Sequence, residues 1–114
     1  GRVATAFGDV LHEDVLRERA QLGRSGVVSV ALFAGGDGEL LAPPGVVARG
    51  VFDPREAAHV RGVRSAVSRA LADLRPRSRE SDDELIYAAR GATRRYFEAE
   101  TGGRPIVVVT VTRR

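Results

Sequence analysis

The chain has 114 residues, of which 43% are hydrophobic, carries a formal charge of +3 and contains no cysteine. That length suits a single domain with one core, and the apolar share excludes a disordered tail. The missing cysteine excludes disulfides, thiolate metal ligands and a cysteine nucleophile, and fits a reducing cytoplasm, the expected location.

No apolar run approaches the ~20 residues of a membrane helix. Gly1-Arg2-Val3 lacks a signal-peptide apolar region and reads as the cut end of a longer protein. All 18 basic residues are arginine. A GC-rich genome explains that bias blandly; a phosphate-binding surface is the functional alternative. With 15 acidic residues interspersed, composition alone supports only weak, general polyanion affinity.

Residues 1–23 read as a linker. Gly1–Gly8 shows no period, and Asp14 caps a short helical turn through Val15, Leu16 and Ala20 that ends at Gly23. The domain proper is expected over 24–114. Gly26–Ala34 is a β-branched apolar strand. Gly35-Gly36-Asp37-Gly38 turns the chain into a hairpin. The second strand starts near Glu39, is broken by Pro43-Pro44-Gly45 and resumes over Val46–Val51, which places it at a sheet edge.

Asp53-Pro54-Arg55-Glu56 is a helix start. The stripe Ala57, Val60, Val63, Val67, Ala70, Leu71, Leu74 predicts an amphipathic helix over 54–74, stopped by Arg75-Pro76. Ser81-Asp82-Asp83-Glu84 is a second capping box, and Leu85, Ile86, Ala89, Thr93, Tyr96 and Phe97 form a second stripe that ends at Gly102-Gly103. Pro105–Thr112 is a valine-rich last strand. The order strand, strand, helix, helix, strand defines an α+β two-layer sandwich: a three-stranded mixed sheet with two antiparallel helices on one face. The prolines put the second strand at an edge, so the spatial order is second, first, third.

No catalytic or metal-binding residue is assigned in the chain, and no cofactor. His12-Glu13-Asp14 lacks metal-ligand spacing and reads as a solvated turn. His59 reads as a partly exposed surface histidine. Asp82, Asp83 and Glu84 suit a helix's opening turn, and Glu98 and Glu100 do not share a face. Gly23-Arg24-Ser25-Gly26 has the GxxG pattern of nucleic-acid-binding KH domains but leads into a strand rather than joining helices. Phe33 and Phe97 are expected in the core; Tyr96 suits core or interface equally.

Helices cover one sheet face only. By alternation, Val27, Ser29, Ala31 and Phe33 share a face with Ile106, Val108 and Thr110. Val28, Val30 and Leu32 share the other with Val107, Val109 and Val111. Both are largely apolar, so an uncovered face exposes a hydrophobic patch. Val28, Val30, Leu32, Val107, Val109 and Val111 are read as an interface to a second copy or another domain.

With the elements placed, the chain resembles the C-terminal domain of ribonuclease J from about Asp9 to Val111. The resemblance is carried by Val15-Leu16-Arg17-Glu18-Arg19, Leu22, Gly26–Val30, Pro44, Val46-Val47, Arg49-Gly50 with Phe52, Arg104-Pro105 and Ile106–Val111. It implies an accessory role beside a metallo-β-lactamase/β-CASP nuclease core, which acts as a 5′-to-3′ exoribonuclease and endoribonuclease in RNA decay and maturation. Zinc is then expected in that core, outside this chain. The partners implied are the core itself, further copies in a homo-oligomer, and RNA through the parent protein. Arg49 and Arg104 read as structural arginines or as RNA or interface contacts. The alternative is a directly RNA-binding module in which arginines of both helices and the tail track phosphates. A stand-alone enzyme is disfavoured, since no nucleophile, base and orienting group assemble.

Overall fold

The computed structural model describes the backbone of residues 2–5 and all of residues 26–50 and 56–114. The expected turn at 14–23, the His12-Glu13-Asp14 run, Gly23–Ser25 of the GxxG pattern and the Asp53-Pro54 cap lie outside the described residues.

Strands β1 (Arg2–Thr5), β2 (Val27–Ala34), β3 (Gly45–Arg49) and β4 (Ile106–Arg113) form one mixed sheet in the order β1-β4-β2-β3. Strands β2 and β4 are parallel with Val27 opposite Ile106, and β2 and β3 are antiparallel with Val27 opposite Arg49. The three expected strands therefore stand in the expected order. Arg2–Thr5, read from sequence as linker, adds a fourth by pairing antiparallel with β4, Arg2 opposite Arg113. Four residues carry too little pattern to announce a strand; the neighbouring edge of β4 supplies the ladder partner.

The β2–β3 connection combines Gly38 at φ 84° with an Asx turn in which Asp37 Oδ1 accepts from Glu39 N at 3.0 Å. Ala34 bridges Leu40, and β3 resumes after the prolines at a sheet edge.

Helices α1 (Glu56–Ala72), α2 (Pro76–Arg79) and α3 (Asp82–Thr101) make the second layer. Pro76 ends the first stripe as expected but also opens the one-turn α2, where its fixed φ and missing N–H suit the first helical position. Ser81 Oγ accepts from Glu84 N at 3.3 Å, and Gly102 closes α3 at φ 70° with its N–H on Glu98 O. His59 and Gly62 of α1 meet Tyr96 of α3, whereas Leu74 lines a groove with Tyr87 and Ala88. Residue numbers thus rise along one helix as they fall along the other, and the pair is antiparallel.

The core lies between the layers. Val63, Val67 and Leu71 of α1 and Leu85, Ile86, Ala89 and Phe97 of α3 are buried against the sheet. Their sheet partners are Val28, Val30 and Leu32 of β2, Val46 of β3 and Val107, Val109 and Val111 of β4, none more than 9% exposed. The six residues read from sequence as an uncovered interface are therefore the helix-covered face. Both strand faces are largely apolar, so hydrophobicity alone leaves the choice of face ambiguous. The helix stripes settle it by taking the face with no hydroxyl residue.

Candidate functional site

The sheet face turned away from the helices holds Val27, Ser29, Ala31 and Phe33 of β2, Val47 and Arg49 of β3, and Ile106, Val108, Thr110 and Thr112 of β4, as the register requires. On it Phe33 is 42% and Val47 53% exposed and Ser29 is exposed, Val27, Ala31 and Val108 are half-buried, and Ile106 is buried. Leu41, whose N–H donates to Phe33 O at 2.8 Å, adds another exposed apolar side chain at the hairpin. Among the described residues, three of the four exposed large hydrophobic residues thus sit on the β2–β3 hairpin. Phe33, expected in the core, is on this outer face, because its neighbours Leu32 and Ala34 take the core positions. The hydroxyls of Ser29, Thr110 and Thr112 all fall on the same face, and that polar parity is the sequence signal that identifies it.

Arg49 and Arg104 lie at the end of the sheet where β2 begins. Arg49 is exposed on the outer face opposite Val27. Gly50 beyond it adopts φ 71°. Arg104 is exposed in a shallow depression with Arg94, Glu98, Gly103 and Pro105.

The opposite end of the sandwich is closed by Arg113. Its Nε donates to Asp82 Oδ1 at 2.5 Å, Nη1 to Gly35 O at 3.0 Å and Nη2 to Arg79 O at 2.8 Å. Arg79 in turn donates from Nε to Leu74 O at 3.1 Å and pairs with Glu39. One guanidinium fork therefore ties β4 to the hairpin, to α2 and to the first turn of α3. Asp82 belongs to this clamp as well as to the helix start, and its residue exposure is only 7%.

His59, expected near the surface, is buried at 3% exposure. Its Nδ1 lies 2.9 Å from Tyr96 Oη, and its ring stands among Tyr96 and Phe97 with centroids 5.7 and 5.8 Å away. The three rings pack together between α1 and α3. This is a packing role. Among the described residues no group of three His, Asp or Glu is placed to hold a metal, and no helix there is long and apolar enough to cross a membrane.

The arrangement is a capped, two-layer α+β domain whose outer sheet face is exposed at Ser29, Phe33, Val47 and Arg49 among the described residues. The model of the ribonuclease J C-terminal domain family matches residues 14–114. The chain belongs to that family and is an accessory domain of a ribonuclease J, whose catalytic core is another part of the parent protein. A search of the curated proteins finds no match.

Proposed function

We propose that this domain joins copies of its parent nuclease, with the outer sheet face as the contact surface. The observation that carries the reading is the grouping of Phe33, Val47, Val27, Ala31 and Val108 on a face that the helices do not cover. Removing contiguous apolar surface from water drives association without directional partners. Arg49 at the rim leaves the centre of the patch free of charge, as in the cores of homodimer interfaces.

In this reading the hydrolysis of RNA, and the zinc it uses, belong to the core of the parent protein, which works in the cytoplasm. The present chain contributes no catalytic group. A second reading, direct contact with RNA, is favoured by the arginines that line a groove between α1 and α3. The tail contributes less to it than the sequence implied, since Arg113 is committed to Asp82 and two carbonyls.

Multi-angle light scattering of the 114-residue chain across concentration tests the first reading. Dimers or larger species that persist at moderate salt are expected, because apolar burial is little screened. A strict monomer at high concentration contradicts it.

A further inference from the structure

The outer side of the helix layer differs in kind from the sheet face. Two adjoining depressions between α1 and α3, which share Ala70, Asp73 and Arg95, make a groove lined by Ala66, Ala70, Ala88, Gly91 and Ala92. Arg69 stands on its α1 wall; Arg90, Arg94 and Arg95 stand on its α3 wall. Four arginines and one carboxylate, Asp73, line the groove, and Arg94 also borders Glu98 in the next depression. Tyr87, also lining the groove, is 74% exposed, the highest value among the exposed large hydrophobics of the described residues.

We propose that this groove is a track for single-stranded RNA. Its excess positive charge complements a phosphodiester backbone, and arginine grips phosphate through two parallel N–H donors. The small lining residues let a backbone lie close to the helices. An exposed ring beside the arginines gives an unpaired base a stacking surface. A duplex keeps its bases stacked on one another and makes no use of Tyr87, which is why the single strand is the occupant. The track deepens the second reading above, direct contact with RNA, and rests on it and not on assembly through the sheet, which lies on the other side of the molecule.

Fluorescence anisotropy with a fluorescein-labelled oligouridine of about 12 nucleotides tests it. Engaging about three phosphates gives a slope near −2 for log affinity against log salt. Arg90→Glu with Arg95→Glu should weaken binding more than about tenfold at low salt, and Tyr87→Ala by at least about fivefold. Arg61→Glu with Arg77→Glu changes the charge equally at exposed positions off the groove and should cost less than about twofold. Circular dichroism melting verifies that each variant folds, and Tyr87→Ala remains decisive if the double charge reversal does not. The proposal is overturned by unchanged affinity in the groove variants, by an equal loss in the off-groove pair, or by equal competition from duplex RNA. Salt-sensitive binding that the groove variants leave unchanged overturns the track while direct contact with RNA stands, whereas no binding by the unsubstituted chain overturns both.

Discussion

Arg113 shows how a residue that looks like a charged tail becomes structural. Its position on the core-facing side of β4, one step past Val111, aims it along the buried face toward the junction of hairpin and helices. There its fork meets Asp82, Gly35 O and Arg79 O at 2.5–3.0 Å. Truncating one partner of a pair this enclosed leaves a carboxylate with little access to water. Arg113→Ala is therefore expected to lower the unfolding free energy by about 3 kcal/mol, read from urea denaturation with an unchanged m-value. Arg113→Lys should recover little, because an ammonium cannot reproduce the planar fork that reaches three acceptors. A loss under about 1 kcal/mol for the alanine variant, the level of a surface pair, would show that the clamp is solvated and incidental.

Between elements, α1 and α3 approach closely at Gly62. A Cβ at Gly62 would collide with the ring and hydroxyl of Tyr96. Tyr96 cannot easily retreat, since it is held by His59 Nδ1 and packs edge-on against Phe97 with centroids 5.3 Å apart. Gly→Ala in a helix ordinarily gains about 1 kcal/mol; here Gly62→Ala should lose roughly 1–3 kcal/mol through overpacking. Adding Tyr96→Ala should reverse the sign of the Gly62→Ala effect, and equilibrium unfolding of the four chains in this cycle checks it.

These elements were unequally legible in the sequence. Ser81 and Gly102 announce both ends of α3, since caps are local chemistry written in adjacent residues. The glycine turn and the prolines likewise predict the hairpin and the edge position of β3. The short α2 and strand β1 were missed, because one turn or four residues carry no period. His59 was misplaced because it follows two alanines beside the stripe, and only the arrival of Tyr96 from α3 encloses it.

For the whole molecule, the layer architecture and strand order could be read from the pattern of elements, but the exposed face could not be chosen by hydrophobicity. Val28, Val30 and Leu32 are as apolar as any docking surface, and they prove to be the core. The minor polar members, Ser29, Thr110 and Thr112, point to the face that remains open. Two surfaces on opposite sides then carry the proposals: the apolar sheet face, proposed for copies of the protein, and the arginine groove, proposed for RNA. The division into surfaces is more informative than the arginine count, since Arg79 and Arg113 are taken up by the fold itself.

The central claim is that assembly uses the outer sheet face. Its most direct test is the molar mass, by light scattering, of the chain carrying Phe33→Asp and Val47→Asp. Both side chains are exposed in the single chain, so the substitutions should leave the unfolding temperature within a few degrees, as expected of changes costing about 0.5 kcal/mol each. The account predicts a folded monomer where the unsubstituted chain is a dimer or larger. A folded variant with the same mass as the unsubstituted oligomer would contradict it.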